Sequence, residues 1–203
     1  LFLSAKPEAA QCPSVSGHLP AHIAAEHSIQ EVLHSLLNVF PQAIHHQCFD
    51  DNNNTPLLKA VAGSNEDTVA YICKYYPEAV NISNTLNMNP MHLACEGESL
   101  TLLQMLHDAC PVNGLKPDHD GRLPLHVFIQ AHPDIRNEVS PEADCFRLLL
   151  KNYPEAVLVE DSQHETPLSL CPVENSFMRR LLLMLSLIHI SEPTRRTPIS
   201  YAV

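Results

Sequence analysis

Apolar residues fall along this chain in short blocks that recur. The clearest block is Ile29, Val32, Leu33, Leu36, Leu37 and Phe40, spaced i, i+3, i+4, i+7, i+8 and i+11. That spacing places all six on one stripe of an α-helix. Val69, Ile72, Cys73 and Tyr76 repeat its columns, as do Phe146, Leu149, Leu150 and Tyr153. A helix this short cannot bury such a stripe alone; it must pack against copies of itself. The spacing therefore predicts that Leu33, Leu36, Val69, Ile72, Leu103, Leu106, Phe146 and Leu149 are buried between neighbouring units.

Two proline ladders frame these blocks. The first runs through LPAHIAA, TPLLKAV, NPMHLAC, LPLHVFI and TPLSLC, with Pro20, Pro56, Pro90, Pro124 and Pro167 at steps of 36, 34, 34 and 43 residues. The second runs through KPEAA, FPQAI, YPEAV, CPVNG and YPEAV, with Pro7, Pro41, Pro77, Pro111 and Pro154. Proline is tolerated at the first position of a helix, where its missing N–H has no acceptor in any case. Thr55, Asn89 and Thr166 stand in front of it and can cap the free amides. Leu19 and Leu123 cannot, which predicts weaker starts there. Each second proline disfavours α geometry in the residue before it, ending the longer helix near Phe40, Tyr76, Cys110 and Tyr153.

These residues resemble the ankyrin repeat, with its glycine turn, Thr-Pro-Leu-His segment and apolar second helix. GHLPAHIAA (17–25) and DHDGRLPLH (118–126) carry the likeness best. Gly17 and Gly121 stand in the turn; Asn53 and Asn87 replace glycine and also tolerate positive φ. Asp50, Asp118 and Asp161 stand three residues earlier. His22, His92 and His126 occupy the histidine position, with Leu58 and Ser169 elsewhere. The resemblance implies an all-α, ankyrin-repeat solenoid of stacked helix-turn-helix units over residues 1–184. It holds about five units, the first and last incomplete. It also implies a structural role for the three histidines, each ring bonded between neighbouring turns.

The chain departs from the pattern in three places. The unit after Pro124 is longer by about nine residues; its surplus, with Pro133 and Pro141, reads as an insertion at 131–144 forming a surface loop. Pro-Glu-Ala-Val takes the place of the usual Gly-Ala after the second helix. Residues 185–203, LSLIHISEPTRRTPISYAV, continue neither ladder. They match an in-frame translation of a transposase-type sequencing-library adapter, and are read as no part of a native protein.

Composition narrows the chemistry. The net charge is -11 with histidine neutral, which opposes binding to phosphate backbones. The seven cysteines include no CxxC pair, and several lie in apolar runs. They are expected to be reduced core thiols of an intracellular protein, cytoplasmic or nuclear. No apolar stretch reaches membrane-spanning length. His45-His46-Gln47-Cys48 lacks a second ligand pair at zinc spacing. No nucleophile elbow, P-loop or dinucleotide fingerprint is present. No enzyme activity, cofactor or metal is therefore expected, and the array is read as monomeric.

The function expected is that of a scaffold or adaptor module binding a protein partner. Its concave face and projecting turns would carry the contacts. On the turns the candidates are His18, Asn52, Asn54, Met88, His119, Arg122 and Glu165; on the first helices, Lys59, Glu96 and Gln130. Interface hot spots favour aromatics and Arg, and Arg122 is the one candidate of that kind. The alternative is a targeting domain of a larger enzyme whose catalytic part lies outside this sequence.

Overall fold

The computed structural model describes residues 7–49, 52–135 and 138–191. Among them are ten α-helices and no strand. The shorter helices α1 (Pro20–Glu26), α3 (Pro56–Ala62), α5 (Pro90–Glu96), α7 (Pro124–Ala131) and α9 (Pro167–Leu170) each open on a proline of the first ladder. Each is followed by a longer partner: α2 (Gln30–Val39), α4 (Glu66–Tyr75), α6 (Leu100–Ala109), α8 (Pro141–Asn152) and α10 (Ser176–Ser191). Contacts run within each pair and onward along the chain, from α1 to α3, α5, α7 and α9, and from α4 to α6 and α8.

Helix starts follow the residue before the proline. Thr55, Asn89 and Thr166 accept amide hydrogen bonds from the first turn. Leu19 and Leu123 make no such side-chain bond, though their own amides are tied to the third helical residue. The Nδ1 atoms of His22 and His126 accept the amides of Leu19 and Leu123, each at 3.1 Å. The amides of Asn89 and Thr166 donate to His92 Nδ1 and Ser169 Oγ in the same way, so the starts at Leu19 and Leu123 remain without the cap bond those two have in addition.

At the far end, Phe40, Tyr76, Cys110 and Tyr153 leave helical geometry, with φ of -138°, -137°, -155° and -133°. Each following proline then begins a five-residue 3-10 helix: Pro41–His45, Pro77–Asn81, Pro111–Leu115 and Pro154–Leu158. The ladder proline therefore both stops one element and starts another, and the second role was not legible in the spacing. Ala43 and Ile44, Ala79 and Val80, and Ala156 and Val157 enter the core from these short helices, which accounts for the Ala-Val of the motif. In the third unit Gly114 replaces the larger residue. The ring of Tyr153 occupies the space where its Cβ would stand.

All eight residues expected between units are buried. Two others of the first stripe are not. Ile29 is 46% and Val32 45% exposed, and they line an open apolar groove with Cys12, Pro13 and Ile23. Among the described residues before α1 there is only the short 3-10 helix Pro7–Gln11, with no helix pair to cover them.

The insertion is less free than expected. Ile135 is buried, the Asn175 amide donates to the Pro133 carbonyl at 3.0 Å, and Arg180 pairs with Glu138 at 2.9 Å. Residues 141–144 belong to α8 rather than to a loop; residues 136 and 137 lie outside the described residues. The last helix runs past Met184 to Ser191. Leu185 packs against the core, while Leu187 and Ile188 are exposed. Residues 192–203 lie outside the described residues.

Candidate functional site: a groove below the turns

Tight turns precede the first-ladder helices, and their geometry is set by one acceptor residue each. Asp118 accepts the amides of Asp120 and Arg122 at 2.9 and 2.8 Å, and Asp161 those of Gln163 and Glu165. Asn84 does the same for Leu86 and Met88, and the Ser14 hydroxyl for His18. Sequence pattern singled out only the aspartates; an amide or hydroxyl oxygen closes the turn equally well. Asp50, the remaining member of that column, lies outside the described residues. Positive φ falls where it was expected, at Gly17, Asn53, Asn87 and Gly121, and also at His164.

The turns are bonded to one another. The amides of Phe49, Thr85, His119 and Ser162 donate to the carbonyls of Ser16, Asn52, Leu86 and Asp120 in the preceding turn, at 2.9 to 3.1 Å. Buried histidines add cross-links. The Nε2 atoms of His22, His92 and His126 bond the carbonyls of His46, Arg122 and Val159 at 3.0, 3.0 and 3.1 Å. Because each Nδ1 accepts an amide N–H, Nε2 carries the proton and the ring is neutral. Burial pushes all three below the usual histidine range, His22 to about 4.

This frame supports a groove of about 580 Å³. Its rim is formed by Asn52, Asn54, Leu86, Met88 and Arg122 from three consecutive turns, its wall by Leu93 and Glu96 of α5 and Val127, Gln130 and Ala131 of α7. Leu93 and Glu96 are three residues apart, and Val127, Gln130 and Ala131 fall at i, i+3 and i+4, so each set lies on one helix face. Arg122 is held in place. Its Nε and a terminal nitrogen bond Asp118 Oδ2 at 2.9 and 2.8 Å, Asp120 lies at 3.2 Å, and Gln130 Oε1 accepts at 3.3 Å. Asn84 donates to Asn54 Oδ1 at 3.1 Å.

The groove thus brings together Asn52, Asn54, Met88, Glu96, Arg122 and Gln130 of the candidate residues. Two expectations of exposure are corrected. Lys59 is 7% and Met88 6% exposed; α3 packs between α1 and α5, and Met88 precedes a buried helix start. His119 is exposed, and Glu165 is half-buried on the last turn with its amide on Asp161. Both lie outside the groove, as does His18, which borders the separate apolar groove before α1. Leu86, Leu93, Val127 and Asn84 were not anticipated. The signal for Asn84 was its position 34 residues before Asp118.

Glu96 is exposed, yet its carboxyl is held above the usual range by partial desolvation, offset in part by the Arg122 guanidinium. The cysteines form no disulfide, and burial pushes the Cys73 and Cys145 thiols up to about 11, which disfavours the reactive thiolate. Among the described residues no group of three or more His, Cys, Asp or Glu is placed to hold a metal ion, and no helix is long and apolar enough to cross a membrane. No protein-family description and no curated protein matches this chain.

Proposed function

We propose that this chain is an ankyrin-type repeat array whose work is to bind a protein partner in the groove, as a scaffold or adaptor rather than as an enzyme. The observation that carries the reading is the groove's construction. Equivalent positions of consecutive units, Asn52 with Leu86, Asn54 with Met88 and Arg122, and Leu93 with Val127, converge on one open trough. A stacked array with a small rotation per unit generates such an extended face. Its lining is mixed apolar and amide-bearing, suited to a polypeptide, which presents side chains and a backbone that amides can bond. The acidic balance opposes a nucleic-acid partner. Seven cysteines, none of them in a disulfide, fit an intracellular, reducing compartment, and the array works as a monomer without cofactor.

Site-specific photo-crosslinking tests this. A crosslinker installed at Asn54 or Gln130 should capture one and the same partner in cells. Placed at Ser35, exposed on α2, it should not. Equal capture from both surfaces would sink the reading. The second reading, a targeting domain of a larger enzyme, shares the same groove and differs only in what is attached to it.

A further inference from the structure

We infer that the groove takes an extended peptide bearing a lysine or arginine, whose cation pairs with Glu96. This rests on the reading of the groove as a partner site. The argument is one of charge and unmet bonding. Among the described residues Arg122 is the one cation lining the groove, and Asp118 and Asp120 both contact it. Its charge is thus more than matched before any ligand arrives. Glu96 adds a further carboxylate on the α5 wall, with no ion pair of its own among the described residues. With Arg122 against Asp118, Asp120 and Glu96, these four groups carry two net negative charges. Their surroundings call for a cation and repel an acidic ligand.

The other groups fit the rest of such a peptide. The aliphatic stem of a lysine or arginine can lie along Leu93 and Val127 while its head reaches Glu96. Asn54 receives a hydrogen bond through Oδ1, which leaves its amide N–H₂ to donate to a peptide carbonyl. Asn52, exposed at the rim, offers the same groups one step along. An extended strand is the conformation whose backbone groups are open to such amides. Partial desolvation of Glu96 makes an ion pair there stronger than one between fully solvated side chains.

The test uses the full chain, immobilised, with synthetic peptide pools of roughly nine residues, long enough to span about 30 Å. All positions are randomised except the centre, which is fixed as Arg, Ala or Glu. At physiological salt the wild-type chain should retain the central-Arg pool roughly three- to tenfold over the central-Ala pool, with the central-Glu pool weakest. Glu96→Gln should level Arg with Ala, and Glu96→Lys should turn the preference toward Glu. The chain's overall acidity attracts cations wherever they land, so the variants decide. An Arg preference that persists unchanged in Glu96→Lys overturns the inference, and so does wild-type retention without any preference. If no pool binds the wild type better than it binds Gln130→Trp, which fills the groove from an exposed position of its wall, the partner-site reading itself fails.

Discussion

Single residues fix the turns on which the groove depends. Gly121 sits at φ 75°, and a Cβ there would stand 2.9 Å from both the amide nitrogen and the hydroxyl of Ser162 in the next turn. Both the left-handed backbone and the neighbour oppose a side chain. Gly121→Ala should cost about 1–2 kcal/mol, read as a lower urea midpoint; an unchanged midpoint would contradict the turn geometry. The histidines make a second prediction at this scale. His22 falls from 6.5 to about 4 on folding, so between these values the unfolded chain binds the proton first. Stability is full above pH 6.5 and declines as pH falls toward 4, by about 3 kcal/mol from His22 alone. His92 and His126 shift in the same direction and add to the loss. Urea midpoints across that pH range should fall, and His22→Gln should flatten the curve. A midpoint rising on acidification would mean the rings are charged in the native state.

At the scale of elements, the helices divide by which stripe residues have a neighbour. Leu36 and Val32 lie on the same stripe of α2, yet Leu36 is 3% exposed and Val32 45%. Leu36→Ala should cost about 2–5 kcal/mol, the range for a buried truncation. Val32→Ala should cost well under 1 kcal/mol, as at exposed positions. A denaturant titration giving equal losses would place a covering element over Val32. Helical period was sufficient to find the stripe in the sequence. It was not sufficient to divide it, because periodicity reports which residues share a face and not what lies opposite. The insertion shows the same limit. Its length and prolines were visible, but the bond that ties its Pro133 carbonyl to Asn175, just ahead of helix α10, joins residues 42 positions apart.

Over the whole molecule, helix pairs in a row differ in how many neighbours support them. The pairs α3–α4 and α5–α6 have pairs on both sides, whereas among the described residues α1 has no pair ahead of it, just the short 3-10 helix Pro7–Gln11. In such arrays stability is close to a sum of unit and interface contributions. Amides of α3 to α6 should therefore exchange with solvent more slowly than those of α1 and α9, as hydrogen exchange with residue resolution would show. Uniform protection would indicate a single cooperative unit instead. The turn-to-turn bonds from Thr85 to Asn52 and from His119 to Leu86 lie in that central region, below which the groove opens. Most of the groove is thus placed on the part of the row with the most support.

The sequence by itself determined the local elements of this protein. Two proline ladders marked where each shorter helix begins and where four of the longer ones end, and helical spacing named residues that fill the core, because both depend on residues close together in the chain. It also identified most of the groove's polar residues, since the repeat assigns equivalent positions to each unit. Tertiary structure alone decided the rest. Lys59 and Met88 occupy positions that the repeat offers to solvent, yet neighbouring units bury them. Leu93 and Val127 looked like ordinary residues of a first helix but became groove wall. Asn84 proved equivalent to Asp118 once its bonds to Leu86 and Met88 could be seen. Burial and bonding across units depend on distance in space between residues some 34 positions apart, and a repeat can align such residues without saying which way each side chain meets its neighbour.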